Sequence, residues 1–213
     1  MSHADRRTIE ATERLERQLG QNAGPHPQRW ERMRRTLAER ASAEGLVDVA
    51  LARHDTPLGS LVLGATAAGL LRVGLPVESE EALLEELAAR VSPRVLHAPR
   101  ASLDAARRQL DEYFGRRRRR FDLPLDWRLS AGFRRAVLRV TARIPYGSTA
   151  SYREVAGRAG RPLAFRAAGS ALATNPLPIL VPCHRVLPAS GGIGAYRGGT
   201  PAKELLLALE GAS

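Results

Sequence analysis

The sequence predicts an α/β protein in which a small sheet-bearing region precedes a mainly helical one. Three observations carry this reading. Between residues 46 and 127, strand-like apolar runs and amphipathic helix patterns share one stretch. From residue 128 to 213, helical patterns alternate with turns marked by Pro and Gly. The first 45 residues are polar and charged, and stand apart in composition. A chain of 213 residues can bury one large core or two small ones. The expected domains are therefore 1–45, 46–127 and 128–213.

The elements follow in order. Two helix-like stretches, near 5–19 and 28–43, flank the breaker Gly20-Gln-Asn-Ala-Gly-Pro-His-Pro27. The second sets Trp30, Met33, Leu37 and Ala41 at helical spacing. This thin stripe needs a surface to pack on, and a helical appendage is favoured over a partner-binding arm. Leu46–Ala52 and Ser60–Gly64 have strand character, and the turn Ala67-Ala68-Gly69 leads into a third apolar run, Leu70–Leu75. Glu80–Arg90 carries Leu83, Leu84 and Leu87 on a helical pattern, with Ser79 as a suitable N-cap. Leu103–Phe114 is a further helix. The five arginines Arg116–Arg120 read best as a solvated basic loop, contact with DNA phosphate being the other reading.

Phe133–Arg143 is the next helix, ended by Ile144-Pro-Tyr-Gly147. Thr149 or Ser151 caps Tyr152–Arg158, and Gly160-Arg-Pro162 turns the chain into a helix over Leu163–Thr174. Asn175-Pro176 stops that helix. Ile179-Leu-Val181 is a short apolar run between prolines, and Cys183-His-Arg-Val-Leu187 follows it. The glycine-rich loop Gly191–Gly199 precedes a last helix, Ala202–Glu210.

Composition narrows the function. No apolar run approaches the ~18–20 residues that span a bilayer, and the first residues have no apolar core of a secretory signal. A cytoplasmic protein is expected. The formal charge is +11, which favours a polyanionic partner through counterion release. Lys203 is the only lysine, and so marked an arginine skew also fits a GC-rich coding genome. One cysteine excludes an internal disulfide and a cysteine-rich zinc site. Any role for Cys183 is that of a lone thiol, and a lone cysteine is more often an inert buried residue.

Two constellations stand out. Residues 150–174 have the shape of a helix-turn-helix. The second helix is nearly bare of bulk, with Ala164, Ala167, Ala168, Gly169, Ser170 and Ala171. A smooth helix suits close backbone approach to DNA with little base reading, and a tightly packed helix pair fits equally well. In Pro182-Cys183-His184-Arg185 the histidine can accept the thiol proton, and Glu210 is a candidate to orient it. This pair alone fits a cysteine hydrolase as well as a transferase. Together the two constellations put a thiol just after a candidate docking helix, and chemistry on a base requires lifting it from the duplex. Arg166 is the only charged side chain between Arg161 and His184, so it is the natural plug for the vacated stack.

At this point the chain resembles the O6-alkylguanine-DNA alkyltransferases, the methylated-DNA–protein-cysteine methyltransferases. The match is carried by Ile144-Pro-Tyr-Gly147, Ser151-Tyr152, Arg166-Ala-Ala-Gly169, Asn175-Pro176, Ile179-Leu-Val-Pro-Cys-His-Arg-Val186, Gly194-Ala-Tyr-Arg-Gly-Gly199, and Lys203-Glu204 through Leu209-Glu210-Gly211. Glu112-Tyr-Phe-Gly115 and Phe121-Asp-Leu-Pro-Leu125 add to it. Coverage runs from about Val47 to Gly211. The resemblance implies a small ribonuclease-H-like α/β N-terminal domain and a helical, winged helix-turn-helix-like C-terminal domain.

It also implies roles, residue by residue. Cys183 is the alkyl acceptor. His184 deprotonates it through a water, and Glu210 orients His184. Asn175 braces the neighbouring turn. Tyr152 crowds the phosphate of the flipped nucleotide and is a candidate general acid. Arg166 replaces the flipped base. The carbonyls of Val186 and Cys183 accept from the guanine amine. Tyr196 and the Arg197 backbone line the base pocket. Ala164, Ala167, Gly169 and Pro178 complete the DNA- and substrate-binding set, and the docking helix enters the minor groove. No cofactor and no metal are implied. The partner implied is double-stranded DNA bearing O6-alkylguanine, with O4-alkylthymine a second substrate, bound by a monomer with cooperativity on DNA left open.

The chain departs from the family pattern at several points. Phe165 stands where a small residue is usual, and either wedges into DNA or points inward. Arg197 replaces a small polar residue. Ser130-Ala131-Gly132-Phe133 replaces a Gly-Thr-containing helix start. The zinc site of some relatives is absent, and residues 1–45 have no recognised counterpart. The function expected is single-turnover DNA repair by alkyl transfer to Cys183. The alternative is a non-catalytic lesion-recognition protein that recruits other repair factors, which the presence of Cys183 disfavours. A Cys183–His184 hydrolase would need an oxyanion hole and no docking helix.

Overall fold

The computed structural model describes residues 27–189 and 191–212. The helix expected over 5–19 lies outside the described residues. The chain divides between Arg40 and Ala41 into two units. The first described element, α1 (Pro27–Ala43), leaves Trp30, Met33 and Leu37 exposed.

The sheet is built by β1 (Val49–Thr56), β2 (Gly59–Thr66), β3 (Gly69–Gly74) and β4 (Val95–His97), in the order β3-β2-β1-β4. β2 runs antiparallel to both β1 and β3, and β4 lies parallel to β1. The first strand begins later than its apolar run suggests and extends through Arg53–Thr56. Ladder pairing continues as far as the Thr56–Gly59 turn permits, and the last four residues alternate toward solvent. β4 is only three residues long, too short to show a period. Gly69 (φ +132°) turns the chain between β2 and β3 where a Cβ would lie 2.2 Å from the Pro124 carbonyl oxygen, so only glycine fits.

Helix α2 (Glu80–Arg90) is capped by Ser79, whose side chain accepts from the Ala82 N–H, and it buries Leu83 and Leu87. These leucines meet Val49, Leu51 and Leu71 of the sheet, together with Leu129 from the following region. Each such leucine contributes roughly 2 kcal/mol of transfer free energy. Helix α3 (Ala101–Phe114) buries Leu103, Ala106, Leu110 and Tyr113 and packs on β1, β2 and β3.

The chain then runs along β3, pairing Leu125 with Leu70, and enters the helical region. There α4 (Gly132–Thr141), α5 (Tyr152–Arg158) and α6 (Phe165–Ala173) pack on one another. Ser151, rather than Thr149, caps α5 in a capping box with Glu154, an arrangement worth about 1 kcal/mol. Helix α6 is shorter than its pattern, because Leu163 stands in solvent in the turn before it. β5 (Ala150–Ser151) and β6 (Val186–Leu187) pair in parallel. α7 (Thr200–Glu210) closes the chain, with Gly211 in the left-handed region as its C-cap. The sheet and the helical region are joined where the Val73 N–H donates to the Pro176 carbonyl at 2.8 Å. That bond anchors the loop leading to Cys183 on the edge of β3.

No helix among the described residues is long and apolar enough to cross a membrane.

Candidate active site

The site is assembled by the loop between α6 and β6. Asn175, buried at the end of α6, accepts from the Leu177 N–H at 3.0 Å. Its amide donates to the Val181 carbonyl at 2.9 Å and to Cys183 Sγ at 3.2 Å. These bonds close the loop over the buried residues Leu177, Leu180 and Val181. They also hold Ile179 at φ +73°, a left-handed conformation that a β-branched residue adopts only under constraint, at a cost of roughly 1–3 kcal/mol. The Pro178 beside it is buried.

A single 3-10 turn, Cys183–Arg185, then directs consecutive side chains to different neighbours. Cys183 faces a cavity of about 350 Å³ lined by Tyr152, Gly169, Leu172, Ala173, Ala195, Tyr196 and Arg197. His184 and Arg185 face the end of α7. His184 Nε2 lies 3.0 Å from Glu210 Oε1, and Arg185 grips both carboxylate oxygens at 2.8 Å. Tyr113 from α3 donates to Oε1 at 2.6 Å, and the Gly147 N–H to Oε2 at 3.4 Å. Nothing in the sequence marks Arg185, Tyr113 and Gly147 as partners of Glu210. Tyr113 is indistinguishable there from an ordinary core residue of α3, while Arg185 is visible only as part of the Pro-Cys-His-Arg run.

The electrostatics follow from burial and these contacts. Burial pushes the Glu210 carboxyl upward, but hydrogen bonds from His184 and Arg185 outweigh it and hold the group at about 2. Burial pushes His184 down despite Glu210, so the imidazole rests neutral. An ionised Glu210 can only accept, so Nε2 carries the proton and Nδ1 presents its lone pair. Nδ1 is buried with no hydrogen-bond partner among the described residues, and this free basic nitrogen neighbours the thiol in sequence. Burial pushes the Cys183 thiol up, opposed by the Asn175 amide and by the charge of Lys203. Lys203 is itself buried and donates to the Val186 carbonyl at 2.8 Å. That carbonyl, assigned by resemblance to the guanine amine, thus already accepts one bond and has one lone pair left. Burial, and then the Cys183 charge, push the Tyr152 hydroxyl up, so it stays a proton donor at neutral pH. Tyr196 stands edge-on to His184, with ring centroids 6.4 Å apart. Its hydroxyl is buried without a partner among the described residues.

Cys183, Tyr152, Gly169, Tyr196 and Arg197 thus share one cavity, and Asn175, His184 and Glu210 support it from behind. The Arg197 side chain points away to Glu78, at 2.7 Å. Arg166 and Ala167 lie exposed on α6, with Ala164 half-buried at its start. Phe165 does not turn inward: it is 38% exposed, with the guanidinium carbons of Arg153 and Arg166 at 5.6 and 5.9 Å from its ring centroid. Chemically, the arrangement offers a sulfur nucleophile, a neutral base backed by a carboxylate, and a phenol donor around a cavity of about 350 Å³.

Comparison with known proteins places the chain in a family. Residues 132–212 match the family described as 6-O-methylguanine DNA methyltransferase, DNA binding domain. The methylated-DNA–protein-cysteine methyltransferase of Mycolicibacterium paratuberculosis is 49% identical over 112 residues, which is 53% of this chain and 67% of the relative. The constitutive enzyme of that name from Bacillus subtilis is 36% identical over 157 residues, 73% of this chain and 92% of the relative. The solved O6-methylguanine methyltransferase of Mycobacterium tuberculosis superposes with a TM-score of 0.66 at 34% identity, covering 76% of this chain and 93% of that one. The structure of the M. tuberculosis protein in complex with DNA gives 0.64 at 34% identity, covering 76% and 92%. A Pyrococcus kodakaraensis structure at 23% identity, with a TM-score of 0.55 over 76% of this chain and 99% of that one, shares the fold. By its sequence, its fold and its relatives, this chain belongs to the methylated-DNA–protein-cysteine methyltransferase family.

Proposed function

We propose that the protein repairs O6-alkylguanine in duplex DNA by moving the alkyl group onto Cys183, once per molecule. One observation carries the reading: the only thiol of the chain lines a cavity of about 350 Å³, braced by Asn175, and the next residue is a neutral histidine backed by Glu210. The thiol proton passes to His184 through a water. The sulfur attacks the alkyl carbon, an S–C bond forms as the C–O6 bond breaks, and the electron pair leaves with the guanine. Tyr152 gives its proton to the guanine anion, and the imidazolium proton restores the phenol. Glu210 stabilises the charged imidazole meanwhile. The thioether product has no leaving group that water can displace, so the protein is spent.

In this reading α5 and α6 are the two helices of a winged helix-turn-helix, and the sheet region 46–127 is a ribonuclease-H-like domain beside the site domain 128–213. Helix α6 lies against the minor groove with Ala164, Ala167 and Gly169 toward the backbone. Arg166 takes the place of the flipped base, and Tyr152 turns the phosphate. Tyr196, the Arg197 backbone and the carbonyls of Val186 and Cys183 hold the guanine. Pro178 keeps the loop behind it rigid. The exposed Phe165, beside two arginines, fits the wedge orientation. The protein acts as a cytoplasmic monomer at the nucleoid.

Mass spectrometry of the protein mixed with duplex DNA containing O6-methylguanine tests the proposal. One methyl per protein, located on Cys183 and absent in Cys183→Ser, is the expected result. Bound but unrepaired DNA with no added mass would replace the proposal with lesion recognition.

A further inference from the structure

On the other side of the active-site segment lies a larger cavity that alkyl transfer does not use. Its volume is about 860 Å³, within the range of small-molecule sites. Pro182 and Arg185 line it, while the intervening Cys183 faces the smaller cavity. Four further arginines, Arg119, Arg120, Arg139 and Arg143, contribute to its wall, and no acidic residue does. None of these four forms an ion pair among the described residues, whereas Arg185 is neutralised by Glu210. Two of the four rest on aromatic faces: Arg119 lies 5.7 Å from the Tyr146 ring centroid and Arg139 5.8 Å from that of Trp127. The remaining wall is apolar and includes Leu123, Leu125, Ile179 and Leu180.

Concentrated unpaired guanidinium charge calls for a multiply charged oxyanion, and arginine suits phosphate best. The apolar and aromatic wall calls for a flat, weakly polar body next to that anion. Duplex DNA keeps its base faces stacked inside and would offer only phosphates. An unpaired nucleotide offers both parts, and base–aromatic stacking beside a basic groove is the usual way to hold one. We propose that this cavity is a second nucleic-acid site, which binds an unpaired nucleoside phosphate with its phosphate on Arg119, Arg139 and Arg143 and its base against Trp127. The end of the arginine run read from sequence as a solvated loop then has a ligand. The source of the nucleotide is either a single strand or a free nucleotide, with the same chemistry.

Trp127 supplies the readout. The chain has two tryptophans, Trp30 and Trp127, so a Trp30→Phe protein reports on this cavity alone. Its emission is titrated with a short oligothymidylate, with thymidine monophosphate and with inorganic phosphate. A saturable change with oligothymidylate is expected. Arg119→Gln, Arg139→Gln and Arg143→Gln combined should weaken it at least tenfold, at an unchanged unfolding midpoint. The slope of log affinity against log salt should fall by about 0.7, the value for one single-strand phosphate contact. Saturation by thymidine monophosphate as well assigns a free nucleotide, and a response to oligothymidylate alone assigns a strand; both support the site. No response of Trp127, a response shared by the triple variant, or equal affinity for inorganic phosphate overturns it.

Discussion

Arg197, in the loop that lines the Cys183 cavity, forms an ion pair at 2.7 Å with Glu78, which lies in the segment between β3 and α2. Glu78 is also engaged by the buried Arg72, which reaches on to Glu86. A charged chain thus runs from the sheet to the loop that lines the Cys183 cavity. The pair is partly solvated, so its worth is about 1 kcal/mol or less. Arg197→Gln is expected to slow alkyl transfer from a free O6-alkylguanine base by about two- to fivefold, since ~1.4 kcal/mol is tenfold, with the unfolding midpoint nearly unchanged. Single-turnover kinetics check this, and an unaltered rate would mean that the pair has no part in holding the loop.

Glu210 ties three elements together, so its loss should be felt twice. Glu210→Gln leaves the buried Arg185 guanidinium without its counter-charge, a loss of roughly 3–5 kcal/mol. It also removes the negative charge opposite His184 that stabilises the imidazolium, for a fall in transfer rate of about 10²-fold or more. Tyr113→Phe deletes one neutral donor and should cost only about 1 kcal/mol, with little change in rate. Urea denaturation and single-turnover rates on both variants separate the two roles.

Acid should destabilise the protein in two steps. Burial depresses His184 below its ordinary 6.5, so the unfolded chain takes up a proton more readily than the folded one. Its contribution is full above about 6.5 and declines as pH falls toward the folded value. Glu210 is held at about 2 against an ordinary 4.5. Its contribution is full above the ordinary value and is lost as pH falls through about 2. The melting temperature should therefore drop from pH 7 to pH 5, and again below pH 4.5. His184→Gln should flatten the first step and reduce the second, which Arg185 still sustains.

Cys183 should be a thiol at rest. Burial raises its pKa, and the Asn175 amide works against that rise. The rate with a free base substrate should climb from pH 7 to pH 9, as the thiolate fraction grows. Asn175→Ala removes the bond to sulfur and two that close the loop. It should slow the reaction more at pH 7 than at pH 9, by tenfold or more at the lower value. A pH-independent loss would restrict Asn175 to holding the loop.

Arg166 is exposed on α6 and absent from the Cys183 cavity lining. Arg166→Ala should slow transfer from duplex DNA by tenfold or more, yet leave transfer from the free base within about twofold. Equal losses on both substrates would remove its assignment as the plug.

The sequence by itself determined the order of the main helices and of the first three strands, and it named the candidate residues that the fold brings around Cys183. Strong helix patterns, the Ser79 cap and the breakers at Asn175-Pro176 and Gly211 act within a few residues, so they are legible locally. The Pro-Cys-His-Arg run, with Asn175, Tyr152 and Glu210, marks a candidate site in the sequence alone. Strand ends were less legible, because ladder pairing at the Thr56–Gly59 turn fixes them, not hydrophobicity. Only the tertiary structure decided how Glu210 is held. Its partners Tyr113, Gly147, His184 and Arg185 come from separate parts of the chain, and no local pattern encodes contacts that exist only once α3 and α7 pack together. The same holds for Arg197, which the sequence offers only as backbone beside the base pocket and whose side chain the fold commits to Glu78. The tertiary structure likewise decided that residues 180–185 separate two cavities, because one tight turn sends adjacent side chains to opposite sides.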